Sequence, residues 1–541
     1  MSRRKLQSLI IEKGVYLALI VSVGLFILYP YIVIFYEGLI VEEGGLISYL
    51  GENWQLLKNS LFVAGLTTIF SLFFVICLTV CFIFLGKKLQ RVMRLVFLIT
   101  MVSPPFVTAL AYITLFGMRG LITHDLLHLT YNPYGPQGII MMQTMSYASL
   151  NTLVLMGMVK NIDPTIIKSA RSLGATPDAI IKDMFLPLLK PGLIVVALIS
   201  FIRSLADFQT PTIIGGNYRV LASEGYFAVI SQGDIHKAAL INLTLCIPAL
   251  FFFYFYTKYE KKIAQQNHGL EKGELSLPRK GFSFYGSSVI SGLFILFMTA
   301  QYVAIAINAV TVKRGGKFFL SLRPILESRD YIDGIVLRTI IYSLIAGFVG
   351  SLLSFLIIYF SQVKDSKVMR WVELVGTLPY LLPGTFFGLG YLYAFSSGPL
   401  KMTGTALIVV LNVTFKQLAF ATKAARAASS QIDDTYYKTV HDLGGFTINE
   451  WQDVFFPMNK QGFALTFING FISTMTTIGS IIFLITPGQK MLTLVMFDVV
   501  QRGKYGIASV LAWLIIFICL AVAGVIYGGL KLSERRRFHV S

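Results

Sequence analysis

The chain has 541 residues, 55% of them hydrophobic and 13% charged, with a mean hydropathy of +0.70. A soluble globule of this size could not keep such a surface wet, so composition excludes one and points to a polytopic membrane protein. The formal net charge of +19 is spread through short loops instead of forming one patch, which argues against a nucleic-acid partner and makes the basic residues a topology signal.

A membrane-crossing helix needs about 20 mostly apolar residues. In chain order, twelve segments satisfy this: about 14–36, 60–85, 94–117, 138–159, 191–208, 238–257, 286–310, 338–361, 370–395, 404–424, 462–486 and 506–530. No cleavable leader is expected, because the first apolar run is too long for one and no small-residue cleavage pattern closes it. Lys and Arg gather at alternate connections: Arg3 to Lys5, Lys87 to Arg94, Lys160 to Lys190, Lys258 to Lys280, Lys364 to Arg370, Lys423 to Lys460 and Arg535 to Arg537. By the positive-inside rule these connections and both termini are cytoplasmic. The basic external stretch "TVKRGGKFFLSLRPILESRD" runs against that rule and is outvoted by the seven consistent groups. Cys77, Cys81, Cys246 and Cys519 all fall in apolar runs, where they behave as small hydrophobes.

Two polar segments have one shape. "KSARSLGATPDAIIKDMFLPLLKPG" from Lys168 and "KTVHDLGGFTINEWQDVFFPMNKQG" from Lys438 carry a Gly and a Pro in register, since 444 − 174 and 457 − 187 are both 270. The repeat divides the spans into six plus six: an N-terminal half 1–258, a polar linker 259–283 and a C-terminal half 284–541. An even number of spans per half makes the halves parallel, so the expected fold is an all-α pseudo-dimer of two six-helix repeats around a central path. Each polar segment, about 160–190 and 425–461, reads as a short helix, a Gly turn, a second short helix and a Pro at the start of the next span. Two such hairpins suit the docking of two identical partners.

The first hairpin resembles the coupling loop of binding-protein-dependent ABC importer permeases, whose pattern is Glu-Ala-Ala, three residues, Gly, and later an apolar residue, Leu and Pro. Lys168, Ser169 and Ala170, and in the second copy Lys438, occupy the opening positions; the match rests on Arg171, Leu173, Gly174, Ala175, Leu186 and Pro187, and in the second copy on Leu443, Gly444, Phe456 and Pro457. Lys168 and Lys438 stand where that family usually has Glu, which calls for an acid on the partner or for docking by packing. The resemblance implies a type I importer fold, two copies of an ATPase subunit seated on the hairpins, an external substrate-binding protein, and a cell-membrane location. No "GxxxxGK[ST]" phosphate loop occurs in the chain, so it is read as a permease without its own ATPase site. It binds no cofactor of its own in this reading, ATP and Mg belonging to the partner subunits.

"SLADFQTPTIIGGNYRVLASEGY", Ser204 to Tyr226, resembles the segment after the fifth span of ferric iron permeases. That implies ferric iron as cargo, with an organophosphate (phosphonate or sugar phosphate), thiamine or a polyamine as alternatives within the group. An ion-coupled secondary transporter is the rival class; it calls for acidic residues inside the spans, where Asp207 and Glu373 are nearly the whole supply.

An intramembrane charge is a functional candidate because of what it costs against lipid. Arg203, Asp207 and Lys416 qualify, the first two either as an i, i+4 pair that only anchors a helix or as part of a gate. Gly215 and Gly216 permit a tight external turn, and Pro105 and Pro383, with Pro104 and Pro379, mark kinks that either line a path or are only structural. "HDLLH" would set His124 and His128 on one helical face near Tyr131 and Tyr134, but it lacks the Glu of hydrolytic zinc helices and is not taken as a metal site.

Overall fold

The computed structural model describes residues 3–39, 49, 51–104, 106–130, 132–159, 162–266, 276–314 and 317–538. Pro105, Tyr131 and the linker residues 267–275 lie outside the described residues. In the first half the principal helices are α1 (Arg3–Val23), α2 (Tyr29–Leu39), α3 (Trp54–Phe84), α4 (Lys87–Val102), α5 (Phe106–Phe116), α6 (Pro136–Val159), α7 (Pro164–Ser172), α8 (Leu186–Ala206), α9 (Gln209–Ile214), α10 (Leu221–Ile230) and α11 (Ile235–Gln266). The second half has α12 (Phe282–Ala309), a hairpin of β1 (Thr311–Arg314) and β2 (Lys317–Leu320), α13 (Arg323–Ile332), α14 (Ile335–Ile358), α15 (Lys367–Gly376), α16 (Gly384–Ala394), α17 (Ala406–Lys416), α18 (Leu418–Ser429), α19 (Asp434–Asp442), α20 (Phe456–Thr476), α21 (Leu492–Gln501) and α22 (Tyr505–Phe538).

Among the described residues nine helices are long and apolar enough to cross a membrane, or eleven if each of two bent pairs counts as one span. The chain is a multi-pass membrane protein, and the departures from twelve plain spans have local causes. The expected 94–117 span is two helices, α4 and α5, parted at Ser103 and Pro104. The 370–395 span breaks before α16, where Pro383 has no N–H to give and its ring would clash with the preceding turn. The 404–424 span bends by 46° at Gln417 with no proline to cause it. The 462–486 span is α20, which starts earlier and ends at Thr476, and whose Asn459, Thr466, Asn469 and Thr474 leave it too polar to stand with the nine. Hydroxyls inside spans return to their own helix: Thr152 donates to the Ala148 carbonyl at 2.7 Å, Ser354 to Gly350 at 2.6 Å and Thr474 to Gly470 at 2.9 Å. Such i−4 bonds hide polar atoms where lipid offers no partner.

Around the hairpins the repeat holds to the residue. Helices α7 and α19 start 270 apart (434 − 164), as do α8 and α20 (456 − 186), and the latter two are each 21 residues long. Near the other end of the spans, the Ser60 Oγ accepts the Leu221 amide at 2.8 Å, and the Thr339 Oγ1 accepts the Leu492 amide at 2.9 Å.

The two halves exchange their first spans. α12 packs on α3, α4 and α5 of the first half, with Phe294 against Phe74 (5.3 Å between centroids) and the Asn308 amide on the Thr114 hydroxyl at 2.6 Å. Reciprocally, Tyr31 of α2 packs on Phe387 of α16 (5.4 Å), and the Tyr391 hydroxyl donates to the Phe26 carbonyl at 2.6 Å.

Helices α14 and α20 cross at glycines, where a Cβ on Gly470 would lie 3.0 Å from the Gly347 Cα. Gly470→Val is expected to force the pair apart at a cost of about 1–3 kcal/mol. Thermal unfolding of the detergent-solubilised protein should therefore begin at a lower temperature, whereas Gly65→Ala, on a helix face with nothing within 4 Å, should leave it unchanged or raise it.

Candidate functional site

The two polar hairpins are built alike. Asp163 and Asp433 cap α7 and α19, each taking a backbone N–H two residues on at 2.8 Å, from Thr165 and Thr435. Those amides and the Thr hydroxyls hold both carboxyls below the ordinary aspartate range. A depressed carboxyl contributes its stabilisation above the unfolded value and loses it only on acidification through the lower folded one, so both caps are constant features at neutral pH. Each short helix ends at a glycine with positive φ, Gly174 at +86° and Gly444 at +78°, which an L side chain adopts only under strain. Just before each glycine a leucine stands in the open, Leu173 89% exposed and Leu443 83%. Lys168, Ser169, Arg171 and Lys438 are exposed as well, while Ala170, Ala175 and Leu186 are half-buried.

The expected second short helix is not separate. From Pro177 the chain is helical through to Ala206, with a π-helical turn at Ile180–Phe185, and its copy is Glu450–Phe455. The turn lies just ahead of Pro187 and of Pro457. A proline inside a helix removes one donor, and the wider π register absorbs the missing bond without breaking the rod.

Each hairpin grips the first span of the opposite half, a link the sequence did not announce. The Asp178 carboxylate accepts the backbone N–H groups of Phe282 (3.0 Å) and Ser283 (2.7 Å), capping α12 from outside. It can approach because Gly281, at φ +94°, has no Cβ; one built there would lie 2.5 Å from Asp178. In the second half the Thr447 hydroxyl donates to Glu12 of α1 at 2.8 Å. The hairpins differ inside. Ile180 is buried among Ile167, Phe185 and Val80, whereas its counterpart Glu450, also buried, accepts from the Tyr359 hydroxyl and is paired with Lys364 (2.6 Å) and His441.

A cavity of about 430 Å³ lies between the halves, and Arg203, Asp207 and Lys416 all line it. Arg203 and Asp207 do not form the expected i, i+4 pair. α8 ends at Ala206, so Asp207 turns off the helix and no ion pair joins the two among the described residues. Instead, the Asp207 carboxylate accepts the Gln143 amide at 3.0 Å and the Gln209 backbone N–H at 3.0 Å, while the Arg203 guanidinium donates to the Tyr380 hydroxyl at 3.3 Å across the halves. The Lys416 ammonium donates to the Thr477 hydroxyl at 2.5 Å. Pro383 falls at the break between two lining residues, Leu382 and Gly384. Gly215 and Gly216 lie away from the cavity, in the turn after α9, with Gly216 at φ +57°. Gln143, Tyr380, Asn469 and Thr477 are lining residues that sequence reasoning missed; polar side chains on one face of apolar spans were the available signal.

On the side away from the hairpins four rings from both halves close together: Phe208 on Tyr226 (5.3 Å), Tyr226 on Phe497 (6.0 Å) and Phe497 on Phe106 (6.1 Å). His124 and His128 share no helical face, because the turn holding His124 ends at Leu126 and His128 has φ +51°; the His124 ring is engaged by Asp125 at 2.7 Å.

A pseudo-symmetric bundle of swapped first spans, with two matched hairpins at one side and a shared polar cavity, defines a type I importer permease. Residues 76–265 match the family described as "Binding-protein-dependent transport system inner membrane component", and the all-α bundle of apolar spans fits the type I permease fold of that family. It is similar to the ferric transport system permease protein FbpB of Actinobacillus pleuropneumoniae, with 27% identity over 529 residues, covering 94% of this chain and 77% of the relative. A putative FbpB of Haemophilus influenzae is also 27% identical, over 497 residues (88% and 78%). A putative 2-aminoethylphosphonate permease, PhnV, of Salmonella typhi is 24% identical over 237 residues, covering 43% of this chain and 89% of the relative.

Asp178→Ala is expected to free the start of α12 while leaving the spans inserted. Amide hydrogen exchange at Phe282 and Ser283 should rise relative to the native protein, with little change along α3, and Gly281→Ala should produce the same local signature.

Proposed function

We propose that this chain is the membrane path of an ATP-driven importer of ferric iron, fed by an external binding protein. The observation that carries the reading is the similarity to a ferric transport permease along 94% of the chain. The halves 1–258 and 284–541 act as a pseudo-dimer joined by 259–283, with the hairpin side and both termini cytoplasmic. The contact of Glu12 with the second hairpin supports placing the N-terminal helix on that side.

Each hairpin offers Leu173 or Leu443 as an apolar knob, and a large side chain with nothing to cover it fits a groove on a partner. Two knobs call for two ATPase subunits, which hold ATP and Mg. The exposed Lys168 and Lys438 meet acidic groups there. When the ATPases close, the hairpins move and pull, through Asp178 and Thr447, on the first span of the opposite half. That motion parts the aromatic lid of Phe106, Phe208, Tyr226 and Phe497 and opens the cavity to the receptor. Arg203, Asp207, Lys416 and the break at Pro383 form the path; Gly215 and Gly216 shape the turn that supports the lid.

Reconstituted with its ATPase and receptor, the permease should show ATPase stimulation by iron-loaded receptor and accumulation of ⁵⁵Fe in vesicles. Stimulation by a phosphonate- or sugar-phosphate-loaded receptor with no response to iron would overturn the cargo and leave the permease reading intact.

Gly174→Ala and Gly444→Ala place a side chain at positive φ, at a cost of about 1–2 kcal/mol. Since a Cβ at either meets nothing within 4 Å, the defect is backbone strain and not a clash. Uptake should fall by about tenfold in each variant. Membrane insertion, read by protease accessibility of the loops, should stay native.

A further inference from the structure

Three charged side chains line the central cavity among the described residues: two cations, Arg203 and Lys416, and one carboxylate, Asp207. That carboxylate is already engaged. Its Oδ1 accepts the backbone N–H groups of Gln209 (3.0 Å) and Thr210 (3.3 Å), and its Oδ2 accepts the Gln143 amide (3.0 Å). Lys416 is placed differently. Its hydroxyl partner, Thr477, is the repeat counterpart of Asp207 (477 − 207 = 270), since both stand at the end of the same helix in their half. Where the first half carries an acid, the second half carries a neutral hydroxyl beside an ammonium. An uncompensated cation inside a membrane is costly, and a site facing a polar cavity retains one where an anion will meet it. Asn469 adds a side-chain amide to the same wall, a donor suited to oxygen acceptors. A bare trivalent cation would meet net positive charge here, and among the described residues no three His, Cys, Asp or Glu side chains gather to hold a metal ion.

We propose that the cavity is an oxyanion site centred on Lys416, with Thr477 orienting the ammonium, and that cargo crosses as a complex carrying an oxyanion ligand. This rests on the ferric reading above for the identity of the metal, but not for the anion site itself.

The test uses proteoliposomes of the full permease with its ATPase, supplied with receptor loaded with ⁵⁵Fe together with ³²P-phosphate, ¹⁴C-carbonate or ¹⁴C-citrate in turn. One labelled anion is expected to enter with iron at a constant ratio. Lys416→Gln, and separately Thr477→Asp, which restores the missing acid, should each lower both labels by about tenfold, the worth of one charge-assisted contact. Lys416→Arg keeps the charge and should retain most of the uptake; folding of each variant is read from co-purification with the ATPase. Iron entering with none of the three labels, or at the native rate in Lys416→Gln, would overturn the proposal. Because the label ratio is measured on the native protein, it decides even if a variant does not fold. Labelled phosphate or 2-aminoethylphosphonate entering without iron, and dependent on Lys416, would overturn the ferric reading and leave the anion site standing.

Discussion

The carboxylate of Asp178 on the first amides of α12, and the Thr447 hydroxyl on Glu12 of α1, tie each polar hairpin to a span that starts the opposite half. The swapped packing of those first spans makes the ties consequential. α12 lies on α3, α4 and α5, so a displacement of the first hairpin reaches the first half through a helix of the second. In the proposed mechanism, a force applied at the two exposed leucines would pass through these ties to both walls of the cavity.

The cavity walls follow from the other governing constraint, that a backbone group in lipid must find its partner inside the protein. The first span, α12 and α22 are the long apolar helices with the smallest share of buried residues. Broken or polar ones, the α15–α16 turn at Pro383, the bend at Gln417 and the length of α20, are drawn inward, where other protein or the cavity covers them. Gln417 ties the proline-free bend to its neighbour: its side-chain amide donates to the Ala346 carbonyl of α14 at 2.9 Å.

At two positions the divergence of the copies changes buried or cavity-lining chemistry. The buried Ile180 of one hairpin is Glu450 in the other, held by Tyr359, Lys364 and His441, and the Asp207 of one helix end is Thr477 in the other. The first exchange anchors the hairpins by different means, apolar packing in one and a buried carboxylate with polar partners at its rim in the other. The second changes the charge facing the cavity.

The sequence by itself determined the membrane class, the two halves, the hairpins and the glycines at their tips, because each rests on local rules: apolar length, a repeated register, and a backbone angle that favours glycine. It also marked Arg203, Asp207 and Lys416 as path candidates, since a charge in an apolar run is visible without a fold. What the tertiary structure decided are pairings between residues far apart in the chain. The i, i+4 spacing of Arg203 and Asp207 implied a pair, but the helix ends one residue too early, so each found a partner elsewhere, Tyr380 and Gln143. The run of "PDAIIKDMFLP" gave no sign that Pro187 would be absorbed by a π turn instead of starting a helix, nor that Asp178 would reach Gly281. Those outcomes depend on which helix end arrives beside which hairpin, and the exchange of first spans, settled by packing across the whole bundle, has no local signature.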